Sequence, residues 1–421
     1  MADILFFAML ALLGLAALFA LPLYVTIASY LIRHRTCLAA ERALLAQRVA
    51  EESLPRVLIQ IPTHNEPRVV VRALYAVAAI AWPRGKLEIQ VLDDSSDETG
   101  AVAEAAAAEL RAAGARIEVL RRPNRDGFKA GALAAGLARS DAPYVAVFDA
   151  DYVPPAEWLL GAHAPMRADE RVGFVQTRVA YLNRDQSRFT RAQALMLDLN
   201  YAFEQPARVW SGLPIRFNGT CGLWRRRAIE EAGGWSAATL AEDLDISHRA
   251  QARGWRAAYL ATLAAPGELP ASWRAWKRQQ YRWTKGTAEA MLKTMRELLP
   301  RLAWWRRAVF VAATAAETLL PSVALLAVLT GVAHVAASGR LYDPTLTAAI
   351  WATIGVHVVA RLAGVVLSRN VAGGGRRGRM LGDLAAAFAF ELSVTAERIR
   401  ATASALARRK SGFVRTEKQG A

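Results

Sequence analysis

The chain has 421 residues, of which 54% are hydrophobic, and a formal net charge of +16 at pH 7. That length holds one large domain with membrane segments attached, or two ordinary domains, and its two cysteines, Cys37 and Cys221, are too few for a disulfide scaffold or a zinc site. The positive charge does not read as a nucleic-acid surface, since no recognition motif occurs and much of it flanks apolar segments, where anionic lipid and membrane topology account for it.

From Ile4 to Ile32 no residue is charged. This is long enough to cross a bilayer and lacks the basic start and small-residue cleavage site of a signal peptide, so residues 1–35 are predicted as an N-terminal transmembrane helix. A soluble region, 36–268, follows. Its β-rich runs are RVLIQIP (56–62), LEIQVLD (87–93), RIEVL (116–120), YVAVFDA (144–150) and VGFVQT (172–177). Stretches of helical character, such as 99–113 and 129–139, lie between them. The alternation predicts an α/β domain, a mostly parallel sheet with helices on both faces, whose ligands bind beyond the carboxyl ends of the strands.

Acids collect at those ends. One run finishes in Asp93 and Asp94, another in Asp149 and Asp151. Such pairs often serve turns and caps, but Asp149 and Asp151, spaced i and i+2 just past a strand, suit a hard divalent cation that keeps waters and bridges phosphate oxygens. No Gly-rich phosphate loop is present to do this instead. A third group, AEDLDISHRA (241–250), opens a helix, where the dipole favours acids; its sharper reading is a general base that touches an acceptor hydroxyl. His248 is expected on the helix surface or in a supporting role.

Within 269–305, KRQQYRWTKG (277–286) sets Gln279, Arg282 and Trp283 on one helical face. The helix from Trp273 to Leu299 is predicted to lie at a membrane interface, with Trp276, Trp304 and Trp305 as anchors. Two further spans are predicted within 306–370: Ala308 to Ser338, which holds Glu317 and His334, and Thr345 to Ser368, which holds His357 and Arg361. Arg33, Arg35, Arg301, Arg306, Arg307, Arg369, Arg376, Arg377 and Arg379 flank the three spans and place 36–268 in the cytoplasm of a multi-pass inner or plasma membrane protein. Glu317, near mid-span, is expected to face protein, water or product rather than lipid, with Arg361 or His357 as a structural partner in the bland reading. Residues 381–409 carry Glu391 in a short apolar part and read as an interfacial helix rather than a fourth span.

In order, Asp93-Asp94, Asp149-x-Asp151, Glu242-Asp243 and Gln279-x-x-Arg282-Trp283 resemble the signature of the processive membrane glycosyltransferases of family 2, which include the cellulose, chitin and hyaluronan synthases. The segments IPTHNEP (61–67), FKAGAL (128–133), FVQTRVAYLN (174–183) and FNGTCGLWRR (217–226) look most like the cellulose synthase-like A and C proteins, makers of mannan, glucomannan and β-glucan backbones. The resemblance implies an A-type glycosyltransferase fold and inverting transfer of a hexose from a nucleotide-diphosphate sugar, GDP-mannose or UDP-glucose, to a growing β-linked polysaccharide. Asp93 or Asp94 would hold the nucleoside, Asp149 and Asp151 would hold Mg²⁺ or Mn²⁺ on the diphosphate, and Lys129 would contact the nucleotide. Asp243 would be the base. Gln279 and Arg282 would steady the diphosphate, while Trp283 and Glu242 would meet the acceptor. Within 371–421, Phe413-x-x-Thr416-x-Lys418 resembles the gating loop of cellulose synthases, which covers the nucleotide pocket. The alternative is transfer of a single sugar to a membrane lipid, as in ceramide glucosyltransferases, and homo-oligomers or partner subunits stay open.

Overall fold

The structure is a computed structural model that describes residues 1–372, 380–409, 418 and 420. The five predicted runs are the strands β1 (Val57–Thr63), β2 (Leu87–Asp93), β3 (Ile117–Arg121), β4 (Tyr144–Val147) and β5 (Val172–Tyr181). Two strands escaped the sequence reading: β6 (Gly222–Arg225) and β7 (Arg256–Gly267). The sheet runs β3-β2-β1-β4-β6-β5-β7. All pairings are parallel except those of β6 with β4 and β5, so the mostly parallel architecture is as expected.

Alternation along β1 feeds a core on each face of the sheet. Val57, Ile59 and Ile61 join one apolar cluster and Leu58 the other, as the two-residue period of a doubly covered strand requires. Gln60 is also buried, and its amide donates to Gln90 Oε1 and to the Leu133 carbonyl, 3.1 and 3.2 Å away. The helix Phe128–Leu137 crosses here on Gly136, where a Cβ would come within 2.6 Å of both glutamine side chains.

The N-terminal apolar run is two helices, Ala2–Leu18 and Leu21–Leu45, rather than one helix ending near residue 35. Pro22 sits in the first turn of the second, where its missing N–H is tolerated and where it cannot continue a preceding helix. Together with Trp304–Ser338 and Pro344–Ala372 this run makes three candidate membrane spans. They pack on one another through Met9, Leu13, Ala327 and Leu346. His334 and His357 bond the carbonyls of Ala2 and Ala16.

Two carboxylates tie these helices to the sheet domain. Glu41 is buried and accepts from the backbone N–H groups of Ala261 and Thr262, at 3.1 and 2.6 Å, where the β5–β7 register slips and ladder bonding lapses. Glu317 accepts a two-pronged bond from Arg216, at 2.9 and 2.7 Å. It therefore faces protein, as expected, but its partner comes from the sheet domain: Arg361 approaches Glu391 instead.

Trp276, expected as an interfacial anchor, and His248, expected on the helix surface or in a supporting role, are both buried. Trp276 has no exposure and is no membrane anchor, because its helix, Trp273–Leu298, packs between the helices Glu242–Ala252 and Thr395–Leu406. Trp304, by contrast, is 79% exposed. His248 is buried, and its Nδ1 lies 2.9 Å from Thr294 Oγ1. That hydroxyl donates to the Ala290 carbonyl, so it accepts from His248, whose neutral ring carries its proton on Nδ1.

Burial, and then the charge of Arg216, pushes the His248 pKa down to about 3. The unfolded chain then binds one more proton than the folded one between pH 6.5 and that value, so this contribution is complete above pH 6.5 and is lost on acidification, by up to about 1.4 kcal/mol per pH unit. Unfolding measured from pH 7 to 4.5 should show a shallower loss in His248→Gln than in the wild type; parallel curves would refute the assignment. For the second tie, a double-mutant cycle of Glu317→Ala and Arg216→Ala should return a coupling energy of roughly 0.5–3 kcal/mol. Additive losses would show that the pair does not hold the span to the domain.

Candidate active site

A cleft of about 220 Å³ opens at the carboxyl ends of the parallel strands. β1 delivers Thr63, His64 and Glu66, β2 delivers Asp94, the turn after β4 delivers Asp149 and Asp151, and the end of β7 delivers Glu268. The helix starting at Glu242 brings that residue and Asp243, and Trp273–Leu298 brings Gln279, Arg282 and Trp283. With Lys129, every site residue predicted from the sequence lines the cleft except Asp93.

Asp93 and Asp94 part company because successive residues of a strand point to opposite sides. Asp93 is 1% exposed, takes the Ser95 N–H at 3.0 Å and lies 3.1 Å from Arg121 Nε. A Cβ on Gly100 would meet it at 2.3 Å, so it packs under the following helix and shapes the turn. Asp94 faces the cleft, gripped by Arg122 through Nε and Nη2 at 2.9 and 2.5 Å. Its carbonyl accepts from His64 Nδ1 at 2.9 Å.

Lys129 is the hinge between the two acidic groups. It donates to Asp149 Oδ1 at 2.5 Å and to the Gly219 carbonyl at 2.9 Å, and stands 3.9 Å from Glu242. These acids outweigh burial and raise its pKa above the usual lysine range. Burial raises the carboxyl pKa of both Glu242 and Asp243, and each is relieved by the charge of Lys129. Gly219 has φ +78, and a Cβ there would lie 2.8 Å from Asp243 Oδ2, so only glycine brings the backbone this close to that carboxylate. Burial depresses the Arg282 pKa, offset by the charges of Glu242, Asp149 and Asp243.

The residues suit a divalent cation. Asp149 and Asp151 offer hard oxygens, and each already holds an ammonium: Lys129 on the first, Lys418 on the second at 2.7 Å. Among the described residues no three metal-ligating side chains cluster. Four cleft residues carry buried polar atoms without a partner among the described residues, Arg125 Nε, Tyr181 Oη, Asn218 Nδ2 and Gln279 Oε1, the kind of group a ligand satisfies.

Glu268, Asn218, Thr220 and Tyr152 also line the cleft and were not singled out from sequence. Asn218 and Thr220 lie in FNGTCG, whose resemblance marked the segment without marking the residue. Glu268 directly follows β7, whose alanine-rich RAAYLATLAAPG hides a strand period. Of the gating-loop-like motif, Phe413 and Thr416 lie outside the described residues.

The sequence profile described as Glycosyltransferase like family 2 matches residues 55–286. Glucomannan 4-beta-mannosyltransferase 2 of Arabidopsis thaliana is 37% identical over 267 residues, 62% of this chain and 50% of the relative. Glucomannan 4-beta-mannosyltransferase 1 of Cyamopsis tetragonoloba is 35% identical over 249 residues, 58% of this chain and 47% of the relative. The chain thus spans about half the length of the curated relatives it matches. Among solved structures, the mannosyltransferase PcManGT from Pyrobaculum calidifontis, in complex with GDP-Man and Mn²⁺, superposes with a TM-score of 0.60 at 20% identity, covering 94% of this chain and 100% of that one. The fold is that of an A-type glycosyltransferase, and the chain belongs to glycosyltransferase family 2.

Proposed function

We propose that this protein is an inverting hexosyltransferase that moves mannose from GDP-mannose to a hydroxyl of a β-linked glycan. The observation that carries the reading is the meeting, across Lys129, of a metal-type carboxylate pair and a half-buried Glu242-Asp243 pair in one cleft. The relatives named as glucomannan 4-beta-mannosyltransferases and the GDP-Man complex of a similar fold support mannose over glucose.

Asp94 and His64 form the nucleoside end and Asp149 and Asp151 the diphosphate end. A divalent cation held there, when bound, neutralises the diphosphate. Asp243 takes the proton of the acceptor hydroxyl, whose oxygen attacks the anomeric carbon from the face opposite the diphosphate. The carbon–oxygen bond to the diphosphate breaks, and Lys129 and Arg282 stabilise the negative charge on the departing nucleotide. Glu242 and the flat face of Trp283 position the acceptor sugar, and Gln279 steadies the diphosphate. The three candidate spans and their basic flanks support a membrane position with the sheet domain on the cytoplasmic side. Full-length protein in nanodiscs, offered GDP-mannose and UDP-glucose with and without glycan acceptors, tests this. A glycanase-sensitive β-mannan supports it, and a product confined to lipid refutes the glycan acceptor.

Two variants separate the roles. Asp151→Asn, or wild type in chelator, should lose nearly all transfer; full turnover in either would show the metal assignment to be wrong. Asp243→Asn should cut kcat by roughly 10²- to 10⁴-fold, the range of general-base catalysis, with GDP affinity within about twofold. A parallel drop in affinity would move Asp243 to the donor site.

A further inference from the structure

The structure puts a residue from the far end of the chain on the carboxylate pair. Lys418 Nζ donates to Asp151 Oδ2 at 2.7 Å and to the Glu268 carbonyl at 2.8 Å. Two residues on, the Gly420 N–H donates to Glu268 Oε2 at 3.2 Å. Glu268 is itself held by Arg72 at 2.6 Å. Gly420 has φ +77, and a Cβ there would lie 3.0 Å from the Arg68 carbonyl. The fit therefore requires glycine as well as lysine.

The chain leading to this contact is anchored nearby. Lys285, fully buried on the Trp273–Leu298 helix, donates to the Arg409 carbonyl at 2.5 Å. Thr402 bonds the Thr318 carbonyl at 2.9 Å, and Arg398 bonds Gln280 at the same distance.

From this geometry we infer that Lys418 is a built-in counter-cation that competes with the divalent metal for Asp151. The inference rests on the metal assignment proposed above. An ammonium and a divalent cation cannot both be seated on one buried carboxylate oxygen without repelling one another, so metal entry displaces Lys418 and frees the Gly420 contact. With the tail docked, the cleft keeps its acids neutralised and its metal site closed. Apparent metal affinity is then lowered by the fraction of molecules in which the site is uncovered.

The test is Mn²⁺ binding to the full chain in nanodiscs, without nucleotide, read by electron paramagnetic resonance. Lys418→Met should bind Mn²⁺ about fivefold or more tightly than wild type, corresponding to a site uncovered in roughly a fifth of wild-type molecules. Gly420→Val, which leaves every carboxylate and Lys418 in place, should tighten binding in the same direction. In the wild type, Mn²⁺ should also speed tryptic cleavage after Lys418. Unchanged or weaker binding in Lys418→Met would overturn the competition. Absence of Mn²⁺ binding in wild type and both variants would instead overturn the metal assignment, and the inference with it.

Discussion

Charge balance in the cleft is the constraint on which the rest of the structure depends. Among the described residues seven carboxylates line it, against four lysine and arginine side chains, and two more arginines, Arg72 and Arg122, are drawn in to hold Glu268 and Asp94. Lys129 and Lys418 rest on the very acids that a metal would use. An anionic diphosphate of the proposed donor would find no surplus of positive charge here. On the proposed reading a divalent cation would supply it, offsetting the desolvation of the two aspartates beyond β4.

The antiparallel strand β6 serves that balance. Because it runs against β4 and β5, it starts at the carboxyl end of the sheet, where Gly219 and Thr220 lead into it. There Thr220 Oγ1 takes the Asp149 N–H at 3.1 Å and the Gly219 carbonyl takes Lys129. One loop thereby holds Asp149 and Lys129 and borders Asp243. A side chain at Gly219 would intrude on Asp243 and Lys129 together.

Glu41 and Glu317 extend the same logic to the apolar helices. Each is an acid in a helix of a candidate span, and each is satisfied by the sheet domain, one by backbone N–H groups and one by Arg216. Arg216 is two residues from Asn218, which borders the cleft. The spans are thus joined to the loop that frames the site, by polar contacts that apolar packing alone would not orient.

The sequence by itself determined the strand–helix alternation, the three apolar runs and the acids at the strand ends, because each is written in local period and composition. Asp149, Asp151, Glu242, Asp243, Gln279, Arg282 and Trp283 were legible as a set through their order and resemblance. What tertiary structure decided is which groups meet. β7 was hidden because alanine suits a strand or a helix until neighbours choose. Asp93 was separated from Asp94 by the side of the strand each faces. Trp276 was taken from the membrane surface by two helices distant in sequence, and Glu317 was given Arg216 rather than Arg361. These outcomes rest on contacts between residues far apart in the chain, whose free energy exists only once the fold has brought them together.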